Sequence, residues 1–247
     1  MDNTSITWVN IDGLQVPLKI YRERRRSMRI SIGADKVHLR IPRGAFTPPA
    51  GNAVQWAKEW LTKKYLKHPE LFERFRIKTY DDGQKISTTL KEYTLKLEYK
   101  DRKTFGAKLH RDKYIILSLP YNTTTAQMAN TVASLISRTI AGDQYHWVEA
   151  RLLQLKSQYF ADVKMNDLRL KYNKSNWGSC STKGNINLSS RLLLAPIEVM
   201  DYVIIHELTH LIHPNHSRAF WHKVAEVMPD YKQKERWLSE NNHLCVF

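Results

Sequence analysis

The segment His206-Glu207-Leu208-Thr209-His210, closed off four residues later by Pro214, constrains this chain more than any other stretch. Two histidines four apart on a helix project from one face about one turn apart, so both imidazoles can reach one small ion. Glu207 stands beside them, placed to take a proton from water held near that ion. The preceding Tyr202-Val203-Ile204-Ile205 are apolar, and Met200, Ile204, Leu208 and Leu211 form a core stripe on another side of the helix. The helix is expected to begin at Pro196, whose missing N–H would be unpaired there anyway. It is expected to run to about Ile212, where His213-Pro214 stops it.

A catalytic zinc usually takes three protein ligands and keeps one position open. The candidates for the third are His213, His216 and a downstream carboxylate, Glu226. On an unbroken helix His213 would lie about 10.5 Å of rise from His206, too far to share an ion with both other histidines. Pro214 lets the chain turn, so His216 is the favoured third ligand and Glu226 the runner-up. His213 then reads as a helix-end residue that meets the negative end of the dipole. The set predicts one zinc per chain, held by His206, His210 and His216, with Glu207 as general base. Tyr202, His213 and His222 are candidates for steadying an oxyanion.

The chemistry expected of such a site is zinc-dependent hydrolysis, with a peptide or protein as the leading substrate. A second reading keeps metal and base but cleaves a phosphoanhydride such as a nucleoside triphosphate. A third is a nucleic-acid-associated protein with a structural metal. Glu207 and an open fourth position argue against the third, since structural zinc sites are closed by four ligands.

The rest of the chain is read more coarsely. The fold expected is α+β: a β-rich N-terminal region, 1–122, with one helix at 50–68, then a catalytic region, 123–247, carrying the histidine helix. Strands are expected at 16–21, 29–32 and 37–41, with a turn at Gly33-Ala34-Asp35 and punctuation at Pro48-Pro49 and Gly51. Further strands are expected at 93–99, 114–119 and 168–172. Helical text runs from Thr124 to about Phe160, with Gly142 as a candidate divider, and no internal sequence repeat is visible. Trp177-Gly178-Ser179-Cys180 reads as a compact loop or strand edge, with Trp177, Gly178 and Ser179 as candidate substrate contacts.

The 247 residues carry 39 Lys and Arg against 24 Asp and Glu, a net charge of +15. That admits nucleic acid or a nucleotide as a partner. Between 18 and 44 there are nine basic and two acidic side chains, and Arg24, Arg25, Arg26 and Arg29 are candidates for phosphate contact. No apolar run approaches membrane-spanning length. With no leader pattern and two distant cysteines, Cys180 and Cys245, a cytoplasmic protein without a disulfide framework is expected. Nothing in the sequence specifies an oligomeric state.

Five strings in order resemble one family. They are Trp177 to Cys180; Gly184-Asn185-Ile186-Asn187-Leu188; Leu194-Ala195-Pro196; Asp201 to Leu211; and Asn215-His216-Ser217-Arg218-Ala219-Phe220-Trp221. Together they look like the YgjP-like metallopeptidase family, related to the WLM and SprT-like zincins. Weaker similarity extends to Tyr21–Arg29, Ile41-Pro42-Arg43 and Met228–Lys232. The stretch His210 to His216 also resembles WLM proteases that degrade proteins crosslinked to DNA, and its ligand spacing is that of metzincins, with His213 where those carry glycine. Ser189-Ser190 departs from the family pattern, which has asparagine after the leucine. The resemblance implies a zincin-like α+β catalytic region, zinc at His206, His210 and His216, and Glu207 as base; it implies no particular substrate.

Overall fold

A computed structural model describes residues 4–33, 35–43, 49–76 and 78–247, apart from the side chains of Ala50 and Asn130. Ala34 and Pro48 of the expected turns lie outside the described residues. The fold is α+β, and the chain divides into two compact units, Met1–Ile77 and Lys78–Phe247.

In the first unit four strands, β1 (Thr4–Ile11), β2 (Leu14–Glu23), β3 (Arg29–Ile32) and β4 (Val37–Pro42), form a sheet of order β1-β2-β4-β3. β2 and β4 are parallel; the outer pairs are antiparallel. Strict alternation in β2 and β4 puts Val16, Leu18, Ile20, Val37, Leu39 and Ile41 on one buried face. Ala53, Ala57 and Leu61 of the helix α1 (Ala50–Lys67) and Phe72 of a following 3-10 helix close that core. The small alanines let the helix lie close to the branched side chains of the sheet.

The second unit begins with β5 (Lys85–Ser87), β6 (Glu92–Lys100), β7 (Gly106–His110) and β8 (Tyr114–Pro120), in the order β5-β6-β8-β7. The inner pair is again parallel and the outer pairs antiparallel, so the first unit's topology recurs. β5 and β7 are short edge strands without clean alternation and are not evident in the sequence. Next comes α2 (Thr125–Tyr159), opened by a capping box in which the Thr124 hydroxyl accepts from Gln127 N and Gln127 Oε1 accepts from Thr124 N.

Gly142 does not divide this helix, which is continuous through it. A glycine in a helix costs only about 1 kcal/mol, and Ile140 and Val148 are buried on either side of it. The division expected after residue 122 falls inside this unit, between β8 and α2. Tyr93, Leu95, Ile115 and Leu117 share one core with Val132, Ile136 and Ile140.

A three-stranded sheet of order β10-β11-β9 follows, from β9 (Asp167–Lys171), β10 (Gly178–Cys180) and β11 (Asn185–Ser189). β10 pairs antiparallel with β11 and is an edge. After a 3-10 turn at Ser190–Leu194 come α3 (Ile197–His210), α4 (Arg218–Val227) and α5 (Tyr231–Asn241). Among the described residues no helix is long and apolar enough to cross a membrane.

Candidate metal centre

α3 is apolar on nearly every side, with Val199, Met200, Tyr202, Val203, Ile204, Ile205 and Leu208 buried, as befits a helix enclosed by its own unit. It ends at His210, two residues earlier than its spacing suggests. The amides of Leu211 and Ile212 bond three residues back, to Leu208 and Thr209, and tighten the last turn. His213 N closes on Thr209 O at 2.9 Å.

That turn positions the histidines. The His213 carbonyl lies 3.2 Å from His210 Nδ1, which donates to it and leaves Nε2 free to face outward. Past Pro214 the chain reverses, and the Ser217 hydroxyl accepts from Phe220 N to begin α4. His216, just before that cap, is thereby carried back to His206, with the two Nε2 atoms 3.0 Å apart. His206, His210 and His216 each offer a ring nitrogen within 4.8 Å of the others. Phe220, fully buried, lies against all three, its ring centroid 4.9, 4.6 and 4.8 Å from theirs. Trp221 stacks on His216 and Tyr231 on Trp221.

Glu207 points off the same helix beneath β10. Its Oε2 is buried without a hydrogen-bond partner, as is His206 Nδ1. Gly178 makes the position available: a Cβ built there would lie 2.7 Å from Glu207 Cγ and 2.8 Å from Cδ. Burial raises the Glu207 carboxyl to about 8. Burial, reinforced by His210 and His216, lowers His206 to about 4, so its imidazole is neutral at pH 7. His210 is lowered too, chiefly by burial. Neutral imidazoles with free lone pairs are the form that binds a metal.

The donors therefore fit a divalent ion. Three imidazole nitrogens converge, one is oriented by a backbone carbonyl, and a buried carboxyl without a hydrogen-bond partner on one oxygen lies next to them. Glu226, the runner-up ligand, pairs instead with Lys223 at 2.9 Å and is outside the cluster.

The other predicted residues separate. Trp177 is held by the Arg191 guanidinium, 4.3 Å above its ring, and its carbonyl accepts from Ser189 N. Ser179 lies on β10, its hydroxyl accepting from Asn187. Cys180 follows it, and burial with the nearby Glu207 charge pushes its thiol up to about 11, far from a thiolate. Ser189 and Ser190, where the family pattern differs, are buried; their hydroxyls hold Asn173 O and Lys171 O, and Ser190 also meets Ser137. Tyr202 is buried against His206 and Tyr231; His222 is exposed. Arg24, Arg25, Arg26 and Arg29 belong to the first unit, the first three in the loop after β2 and Arg29 at the start of β3.

Sequence reasoning missed Phe220, Tyr231 and the His213 carbonyl. Phe220 is four residues beyond His216, a helical spacing that could have pointed to it.

The family description of the YgjP-like metallopeptidase domain matches residues 26–241. A solved structure, the metallopeptidase zymogen abylysin of Pyrococcus abyssi, is 30% identical and covers 38% of this chain and 93% of its own. Its TM-score is 0.34, too low to carry an argument about fold. No curated protein matches the chain.

Proposed function

The chain belongs to the YgjP-like metallopeptidase family, a family of metal-dependent peptidases, and from that premise we propose that it is a zinc endopeptidase with His206, His210 and His216 as ligands and Glu207 as general base. The observation that carries the reading is the convergence of three imidazoles and a buried carboxylate beside an edge strand. A zinc ion held by the histidines supplies Lewis acidity to the scissile carbonyl and to the attacking water.

The chain's own residues do the rest. Glu207 takes the proton from the attacking water and passes it to the leaving amine. Its buried setting keeps the carboxylate unhydrated and therefore reactive. β10 bonds β11 along one side only, so its other side can receive an extended peptide as an added strand. An added strand takes the middle of a chain as readily as an end, which favours endopeptidase action. Phe220 fixes the three rings from below, and Trp221 and Tyr231 stiffen His216.

Metal analysis of the purified chain should find one zinc, lost in His206→Ala. Glu207→Gln should keep the zinc and lower kcat on an unfolded protein substrate by about 10²–10⁴-fold. Turnover of a nucleoside triphosphate with none of protein, or full activity in Glu207→Gln, would overturn the reading.

A further inference from the structure

The solvent face of the first unit's sheet differs from its core face. Register places Ile6 and Trp8 of β1, Pro17, Lys19, Tyr21 and Glu23 of β2, His38 and Arg40 of β4, and Arg29 of β3 together on it. Trp8 is 63% exposed and Ile6 60%. Single exposed apolar residues are ordinary. These two share one face of an edge strand and lead onto further rings.

The Tyr21 ring stacks on His38 at 5.6 Å and is flanked by Lys19 Nζ at 5.1 Å and the Arg40 guanidinium at 5.2 Å. Arg29 and Arg40 are direct cross-strand partners. Like charges so placed are destabilising. Glu23, which meets Arg40 at 3.4 Å, is the face's one acidic side chain among the described residues, and it also pairs with Arg25. The face thus combines an excess of positive charge, only partly offset by Glu23, with rings lying along a sheet.

We infer that this face binds single-stranded nucleic acid, with the exposed Trp8 stacking on a base, the Tyr21–His38 pair continuing the aromatic surface, and Lys19 and Arg29 meeting phosphates. Aromatic platforms interleaved with cations are the means by which proteins hold single strands without reading sequence. A duplex keeps its bases stacked on each other and cannot offer them to a sheet. An acidic polypeptide would satisfy the cations and leave the rings without a purpose. Of the neighbouring loop run Arg24–Arg26, Arg25 is committed to Ser27 O and Glu23, so the proposed site is placed on the sheet face. The inference is independent of the metal centre.

The test is fluorescence anisotropy of the full chain with a short labelled single-stranded DNA, over a range of salt. Trp8→Ala should weaken binding about tenfold or more, and Trp8→Phe should restore most of it. Arg29→Ala should flatten the slope of log K against log salt by about 0.7, one phosphate contact. Circular dichroism of each variant checks that the fold is kept. Binding unchanged in Trp8→Ala, equal competition by duplex DNA or polyglutamate, or a Trp8→Ala effect on self-association alone would each overturn the inference.

Discussion

The surroundings of Arg191 and of Glu207 handle a buried ionisable group in opposite ways, although each residue is only 4% exposed. Arg191 is saturated. Its Nε donates to Cys245 O at 2.7 Å, Nη1 to Lys174 O at 3.1 Å and Nη2 to Asn242 O at 2.9 Å, and it also reaches Asn242 Oδ1. The Trp177 ring lies under it. It ties the tail after α5 to the loop before β10. Glu207 by contrast has an oxygen, Oε2, with no partner, and the neighbouring His206 ring has an unpartnered nitrogen, Nδ1. A charge that is fully paired holds the fold. An acid left unpaired in the same unit keeps its proton at neutral pH, and a cation bound beside it would favour its release. Gln144 and Arg102 also have an orphan atom each, but both side chains keep other hydrogen bonds.

The sharpest way to break this comparison is to remove the saturated charge. Arg191→Leu strands several carbonyls and should destabilise the protein by about 3–5 kcal/mol, measured by urea unfolding. Glu207→Gln should not destabilise the metal-free chain, since the group it removes is buried without a partner. Equal losses in both variants would erase the distinction.

Much of this contrast was legible from one side only. The convergence of His206, His210 and His216 follows from a four-residue spacing and a proline, both local signals. Arg191 gives no such signal, because its partners are main-chain carbonyls far along the chain that only tertiary packing brings near. The shared order of β1-β2-β4-β3 and β5-β6-β8-β7 was invisible for a related reason: it is a pattern of backbone pairing, and the side chains filling it differ. Gly142 misled in the other direction, since the turns around it are held by α2's buried face.

The next effect concerns Gly178. Its φ is not in the left-handed region, so alanine is tolerated by the backbone, and the collision of its Cβ with Glu207 is the one new event. Gly178→Ala should leave zinc content intact and reduce kcat on the order of 10²-fold, the cost of a carboxylate misplaced by about 1 Å. Gly142→Ala, where a Cβ meets nothing within 4 Å, is the control. It should gain about 0.5–1 kcal/mol of stability with activity unchanged. Similar kinetics in the two variants would show that β10 yields to Glu207 without consequence.

The smallest effect is a pH slope in the metal-free chain. Burial raises Glu207 from 4.5 to about 8, so between those values the folded form holds a proton that the unfolded form has lost. Stability from this group is complete below about pH 4.5 and is lost as pH rises toward 8. His206 acts in the opposite sense below 6.5, because its folded value near 4 makes the unfolded form the better proton acceptor there. Above 6.5 the imidazole is neutral in both states, and Glu207 sets the slope until Lys78, lowered to about 8 by burial, begins to oppose it near that pH. The metal-stripped chain should therefore lose about 2 kcal/mol between pH 6.5 and 8, at about 1.4 kcal/mol per unit. Glu207→Gln should flatten that slope. Bound zinc should flatten it too, because a cation beside the carboxylate favours its charged form and removes the reason to hold the proton. A slope that survives both would mean that the unpaired carboxyl is not the group that senses the empty centre.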